Sequence, residues 1–141
     1  MDDEHYMKMA LREAQKASDA NEVPIGAIIV MRDQIIGRGN NQVETLTDAT
    51  AHAEIIALTA AFNYLGSKYL PDATIYVTIE PCAMCCGALY WSKIGCLVYG
   101  APDPKRGGLS RVKLHPKTKV TGNVCAKDCL DLMQNFFIKK R

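Results

Sequence analysis

The sequence lacks any long hydrophobic run, and its longest apolar stretch is the five residues from Ala27 to Met31. A membrane-spanning helix needs about 20 apolar residues, so we expect no membrane span. The amino terminus also lacks a basic segment followed by an apolar one, which is the mark of an export signal. We therefore predict a cytoplasmic protein with no membrane partner.

A strong charge of one sign is also absent, because 17 basic and 15 acidic side chains leave a net charge of +2. This value alone does not imply nucleic-acid binding. The charge is distributed unevenly, however. The stretch 104–119 has no acidic residue and contains Lys105, Arg106, Arg111, Lys113, Lys117 and Lys119. Such a cluster is either a phosphate-binding surface or a solvated loop.

No linker, internal repeat or low-complexity tract divides the 141 residues, so we expect a single domain over 1–141. Apolar residues make up 48% of the chain, which is enough for a hydrophobic core. Six cysteines without an export signal indicate thiols and metal ligands rather than disulfides. Cys125 and Cys129 are one helical turn apart, and we interpret them as buried apolar residues.

Hydrophobic periodicity predicts helices over 4–20, 51–65, 82–92 and 124–141. Short apolar or alternating runs predict strands over 25–31, 34–39, 73–79, 96–99 and 120–123. The polar stretch 40–50 is predicted to be a loop. Strands that alternate with helices imply an α/β fold, with a central sheet covered on both faces.

Two short motifs carry the candidate chemistry. His52-Ala53-Glu54 opens the second predicted helix, and Pro81-Cys82-Ala83-Met84-Cys85 opens the third. One histidine and two cysteines match the three ligands of a catalytic zinc site, which leaves its fourth position to water. Cys82 and Cys85 share one face near a helix N-terminus, where the helix dipole lowers the pKa of a thiol. Glu54 is left free for proton transfer.

Neither motif is specific alone, since H-x-E is usually a surface pair and C-x-x-C also serves structural zinc, redox chemistry and packing. Their combination is the established pattern of zinc-dependent nucleobase deaminases. Zinc lowers the pKa of a bound water to about 7. Glu54 would accept the proton of that water and pass protons to the ring nitrogen and the leaving amine. A closed structural zinc site is the alternative, but Cys86 points away from the other two thiols and is predicted to lie in the core.

On these motifs and the segments around them, the chain resembles the cytidine deaminase superfamily, and within it the bacterial tRNA-specific adenosine deaminases. The matching segments are 22–27, 51–55, 76–82, 98–101 and 103–105. The resemblance implies a three-layer α-β-α cytidine deaminase-like fold with a central mixed five-stranded sheet. It also implies conversion of the wobble adenosine of a tRNA anticodon to inosine, with one zinc ion per subunit. The implied partners are the tRNA anticodon stem-loop and a second copy of the chain.

The resemblance also assigns roles to individual residues. It implies that His52, Cys82 and Cys85 bind zinc and that Glu54 transfers protons. It further implies that the substrate is bound by Asn41, the backbone of Ala53, Asp103, and the following loop with Lys105 and Arg106. The loop after Asp103 and the C-terminal helix are where this family contacts the anticodon stem-loop.

The sequence departs from the family after Asp103. The segment up to His115-Pro116 is a few residues shorter, and Arg106-Gly107-Gly108 replaces a run of small residues. This departure affects how the flanking bases and the stem are held, and leaves the zinc chemistry unchanged.

Two alternative functions remain open. The stretch 87–91 also resembles guanine deaminases of the same superfamily, so the enzymatic alternative is a guanine or cytosine deaminase that acts on the free base or nucleoside. Tyr90 and Trp91 in this stretch are expected to make packing or dimer contacts rather than to bind substrate. The alternative from another class is an RNA-binding subunit with a purely structural zinc, against which the unliganded Glu54 argues.

Overall fold

The computed structural model describes residues 2–140, in which the chain forms five strands and five helices. The strands are β1 (Gly26–Met31), β2 (Gln34–Asn40), β3 (Thr74–Ile79), β4 (Cys96–Ala101) and β5 (Lys119–Thr121). The helices are α1 (Asp3–Asp19), α2 (Val43–Leu46), α3 (Ala53–Leu65), α4 (Ala83–Ser92) and α5 (Ala126–Lys139). All predicted strands and helices are present, and their ends lie within two residues of the prediction. The predicted end of the last helix at Arg141 lies outside the described residues.

The five strands form one mixed sheet, as predicted, and their order in the sheet is β2-β1-β3-β4-β5. β1 pairs antiparallel with β2 and with β3, whereas β3–β4 and β4–β5 are parallel. Arg32 and Asp33 connect β1 to β2 with φ angles of 51° and 59°. Two consecutive positive φ angles are the geometry of a type I′ hairpin turn, whose twist matches that of the strands.

Helices cover both faces of the sheet, so the molecule has the predicted three layers. One core lies under α3 and α4 and contains Ala57, Leu58, Ile75 and Leu89, all buried. The other lies under α1 and α5, where Met7 and Ala10 of α1 and Cys129 of α5 pack against residues such as Ile28. β1 alternates between the two cores, which explains why its sequence is continuously apolar.

One edge of the sheet gathers the chain segments that carry the two motifs. Since β1 is antiparallel to both β2 and β3, the carboxyl ends of β2, β3 and β4 lie at the same edge, beside the start of β1. The chain therefore leaves these three strands at Asn41, Glu80 and Pro102 on the same side. Ligand sites of α/β sheets form at the carboxyl ends of strands.

The predicted loop over 40–50 needs one correction, because Asn40 belongs to β2 and Val43–Leu46 forms the short helix α2. Four residues are too few to show a helical period, so hydrophobic periodicity does not predict this short helix. The buried Glu22 carboxylate accepts hydrogen bonds from the amides of Glu44 and Thr45 and holds this short helix in place. No helix among residues 2–140 is long and apolar enough to cross a membrane.

Close contact between α1 and β1 gives a test of the packing. We expect Gly26→Ala to lower the free energy of unfolding by about 1–3 kcal/mol, since the added Cβ would overlap the Ala10 carbonyl oxygen and the Ala14 amide nitrogen. The matched control is Gly87→Ala on α4, where no atom lies within 4 Å of the added Cβ. It should stabilise the helix by roughly 0.5–1 kcal/mol. Urea unfolding measures both changes, and a Gly26→Ala variant as stable as the parent would contradict this packing.

Candidate metal centre and surrounding pocket

A cavity of about 970 Å³ lies at the sheet edge where the three strands end. Its wall contains His52, Ala53 and Glu54 from the start of α3, and Cys82 from the start of α4. Asn41, Asp103, Lys105 and Arg106 also line it. Cys85 lies behind Cys82 and is buried. The structure thus brings together all nine site residues expected from the sequence.

The candidate metal ligands converge on one point. The ligand atoms of His52, Cys82 and Cys85 all lie within 4.8 Å of one another. The Nδ1 atom of His52 is 3.5 Å from the Cys82 sulfur and 3.6 Å from the Cys85 sulfur. Tetrahedral zinc with ordinary Zn–N and Zn–S bond lengths would hold nitrogen and sulfur about 3.6 Å apart. The spacing of the donors therefore fits a zinc ion.

Local backbone geometry directs two of these side chains into the pocket. His52 and Cys82 are the N-cap residues of α3 and α4, and both have extended backbone angles. N-cap side chains usually accept a capping hydrogen bond from a backbone amide of their helix, and neither His52 nor Cys82 forms one. Pro81 directly precedes the N-cap residue Cys82 and lies outside the helix. The two side chains are thus free to bind a cation.

The two thiols differ in pKa, and a bound cation would change the protonation of both. The Cys85 thiol donates to the Cys82 sulfur, and this bond above all lowers the pKa of Cys82 to about 5, with the nearby His52 assisting. The same bond raises the pKa of Cys85, and burial raises it further. A divalent ion between the two sulfurs would replace the Cys85 proton and hold both groups as thiolates.

Glu54 lies beside the cluster without belonging to it. Its side chain is 3% exposed, and burial raises its pKa to about 7. Its position two residues after His52 would separate the two side chains in the middle of a helix. At the start of α3, both reach the same pocket. A carboxyl group with a pKa near neutrality suits proton transfer in both directions.

Two of the expected substrate-binding residues also stabilise their own loops. The Asn41 side-chain oxygen accepts a hydrogen bond from the Val43 amide at 3.2 Å. One Asp103 carboxylate oxygen accepts from the amides of Lys105, at 3.2 Å, and Arg106, at 3.0 Å. These bonds fix the loops, while the Lys105 and Arg106 side chains remain exposed at the rim of the pocket.

The basic stretch 104–119 does not form one surface, contrary to its appearance in the sequence. Lys119 pairs with Cys96 at the start of β4, whereas Asp103 follows the end of that strand. The strand spans about 16 Å, so Lys117 and Lys119 lie far from the pocket. The pocket wall instead contains three apolar residues of α5, Met133, Phe136 and Phe137, and Lys140, which directly follows this helix. In the sequence, this contribution is indicated by the amphipathic pattern of the last helix and by the basic residues at its end.

The structure also identifies Glu22 as a residue that supports the pocket. It is 2% exposed, and its carboxylate accepts hydrogen bonds from the amides of Glu44, at 3.1 Å, and Thr45, at 2.6 Å. The Thr45 hydroxyl donates a third at 2.6 Å. Burial raises the pKa of Glu22, but these bonds outweigh burial and leave it below the usual value. In the sequence, the available sign of this role is that Glu22 lies two residues before the buried Pro24 and shortly before β1.

The remaining cysteines and aromatic residues lie outside the cluster. The Cys86 thiol is buried and donates to the Pro81 carbonyl at 3.6 Å, as expected for a core residue. Cys129 is buried as predicted, whereas Cys125 is only half-buried. Tyr90 and Trp91 do not line the pocket, and Trp91 is 74% exposed. Packing within the described chain therefore does not account for Trp91.

The chain is similar in sequence and structure to known deaminases. The family described as MafB19-like deaminase matches residues 1–141. The tRNA-specific adenosine deaminase of Agrobacterium fabrum (strain C58) is 39% identical over 144 residues, which covers 97% of this chain and 95% of that protein. A structure from work on A-to-I editing by tRNA:A34 deaminases superposes with a TM-score of 0.85 at 38% identity, covering 91% of this chain and 98% of that one. The guanine deaminase of Bacillus subtilis gives a TM-score of 0.69 at 39% identity, covering 72% and 66%.

Metal content tests the assignment of the ligands. We expect His52→Ala and Cys82→Ala to lose most of the bound metal, because each removes one of three donors. The matched control is Cys86→Ala, which removes a neighbouring buried thiol outside the cluster and should keep about one ion per chain. Elemental analysis of the purified variants measures this. Full metal content in the His52→Ala or Cys82→Ala protein would contradict the assignment.

Proposed function

We propose that this chain, which belongs to the MafB19-like deaminase family and is related to bacterial tRNA-specific adenosine deaminases, converts the wobble adenosine of a tRNA anticodon to inosine. The reaction consumes water and releases ammonia. The observation that carries the proposal is the buried Glu54 beside the His52, Cys82 and Cys85 donors, at the wall of a cavity with a basic rim.

We propose zinc as the metal, with His52, Cys82 and Cys85 as its ligands. Two thiolates and an imidazole favour zinc over magnesium, calcium or manganese, which prefer oxygen ligands. When bound, the ion would supply a water of lowered pKa and leave one coordination position open for it. The donor distances and the lowered pKa of Cys82 support this assignment.

Glu54 is the proposed proton carrier. Its carboxylate takes one proton from the water as the oxygen adds to the ring carbon, and passes it to the ring nitrogen. It then takes the proton of the new hydroxyl group and passes it to the amine, as the ring carbonyl forms and the carbon–nitrogen bond breaks. The amine leaves as ammonia. One group can serve as base and then as acid because the two steps follow each other. The raised pKa of Glu54 supports the role, since a group with pKa about 7 exchanges protons readily at neutral pH.

Asn41 and the Ala53 backbone are the proposed contacts to the target nucleoside, and Asp103, Lys105 and Arg106 the contacts to flanking RNA. Deaminases act on a base that has been extruded from its strand into a pocket. RNA loops are bound through such unstacked bases together with phosphate contacts. Lys105 and Arg106 lie at the exposed rim, and the candidate metal ligands lie inside the pocket. This arrangement supports assigning the target nucleoside to the interior and the flanking RNA to the rim.

A guanine deaminase is the second candidate, which the similarity to the Bacillus subtilis enzyme supports. That alignment covers 72% of this chain, whereas the tRNA-specific relative aligns over 97%. A free base also requires no basic rim.

We further propose that the chain acts as a homodimer in the cytoplasm, where its tRNA substrate is found, and folds as a single domain over 1–141. A partner subunit would cover apolar surface that this chain leaves open. Large apolar side chains that face solvent include Trp91 at 74% and Tyr64 at 65% exposure. Aromatic side chains are enriched in the buried part of subunit interfaces.

Glu54→Gln tests the proton-transfer role. The amide keeps the shape of the side chain but cannot accept the proton, so we expect a loss of inosine formation of about 100-fold or more. Metal content and thermal stability should stay within error of the parent protein. Asp72→Asn, an exposed acid before β3, is the control and should keep normal activity. Parent-like turnover by Glu54→Gln would exclude the proposed mechanism.

Charge reversal tests the RNA substrate. Lys105→Glu combined with Arg106→Glu should raise the KM for a wobble-adenosine anticodon stem-loop roughly tenfold or more, because two phosphate-neutralising charges are lost. Lys117→Glu combined with Lys119→Glu makes the same change in net charge far from the pocket, and its KM should change less than about threefold.

The same assays separate the two candidate functions. Guanine and cytosine are offered as free bases beside the stem-loop, with ammonia and inosine as the products measured. Release of ammonia from guanine, with no inosine formed in the RNA, would support the guanine deaminase. An equal effect of both charge reversals on the stem-loop would exclude the pocket rim as the RNA contact.

A further inference from the structure

We propose that Glu80 is the positioning residue that holds the segment 103–109 against the rim of the pocket. The inference rests on the proposed function, because it concerns the segment that carries Asp103, Lys105 and Arg106. Glu80 itself lines the pocket and lies between β3 and the first metal-binding cysteine of α4.

The Glu80 carboxylate bonds to both ends of the segment. One oxygen accepts from the Asp103 amide at 3.1 Å, and the other accepts from the Leu109 amide at 3.3 Å. The Glu80 amide donates to the Ala101 carbonyl at 2.9 Å, so its backbone is tied to the end of β4 as well. Bonds from amides to an ionised acceptor are among the stronger hydrogen bonds in proteins. Among the hydrogen bonds of the described residues, these are the ones that tie both ends of 103–109 to a single side chain.

The rest of the segment is fitted closely around this carboxylate. The Gly107 amide bonds to the Asp103 carbonyl at 2.8 Å, and the Gly108 amide bonds to the Pro81 carbonyl at 2.8 Å. Gly107 also forms an isolated β-bridge with Cys82. A Cβ on Gly107 would overlap the Glu80 carboxylate, so the turn leaves no room for another side chain here. The segment therefore folds over Glu80 and rests on the start of α4.

On charge alone, the Glu80 carboxylate near the pocket rim is unfavourable for RNA binding. A negative charge close to Lys105 and Arg106 weakens the attraction of this rim for RNA phosphates. If charge were the whole effect of Glu80, its removal would tighten RNA binding. If Glu80 positions the segment, its removal frees two backbone amides, loosens the segment and weakens binding. The two interpretations predict changes of opposite sign.

The experiment compares Glu80→Ala and the isosteric Glu80→Gln with the parent protein in its metal-loaded form. We expect amide hydrogen exchange in 103–109 to accelerate about tenfold or more in Glu80→Ala, with the strands of the sheet unchanged. Glu80→Gln should show a smaller acceleration, because its amide group keeps one acceptor oxygen. Glu44→Gln removes a charge from another residue of the same pocket wall and should leave this exchange unchanged.

Kinetics with the anticodon stem-loop gives the second readout. The KM of Glu80→Ala should rise about tenfold with kcat changed less than about threefold, and metal content should stay at the parent level. Exchange in 103–109 at the parent rate, a tightened KM, or a loss of metal would each overturn the proposal. Hydrogen exchange needs no substrate, so a failure of the proposed RNA activity would be visible separately from a failure of the positioning role.

Discussion

The convergence of two helix N-termini at one edge of the sheet is the constraint on which the site depends. α3 begins after His52 and α4 begins after Cys82, and both N-cap side chains point into the same pocket. This is possible because β2 and β3 run in the same direction, so that the chain returns twice to one edge before entering a helix. A helix start supplies a positive potential, which favours thiolate over thiol. The same geometry thus brings the donors together, and the hydrogen bond from Cys85 lowers the pKa of Cys82 to about 5.

Three glutamates around the pocket show how environment gives one side chain three different properties. Glu54 is buried with little compensation, and its pKa rises to about 7. Glu22 is equally buried but accepts three hydrogen bonds, so that it remains an anion that holds α2. Glu80 faces the pocket and accepts two backbone amides from the segment that follows β4. The residue suited to proton transfer is the one whose charge is stabilised least.

The sequence predicted the site better than it predicted the surroundings of the site. His52, Cys82 and Cys85 were identifiable because metal coordination requires particular atoms at particular spacings. The strands and helices were identifiable from periodicity. Lys117 and Lys119, in contrast, could not be separated from Lys105 and Arg106 by sequence, because proximity in sequence does not tell which end of a strand a residue occupies. Glu22 and Glu80 bind backbone amides of distant segments, and such partners leave no pattern in the sequence.

The candidate catalytic side chains and the proposed RNA contacts lie on different segments of the chain. The metal donors and Glu54 are set by the starts of two helices that are packed against the sheet. The proposed recognition residues lie in the segment after β4, which is held by hydrogen bonds to Glu80 and by the contacts of Gly107 and Gly108. Because this segment crosses the rim without belonging to the core, its length and sequence can change at little cost to the fold. We therefore expect the glycine-containing segment of this chain to change how flanking nucleotides are held, while the arrangement of the donors stays intact.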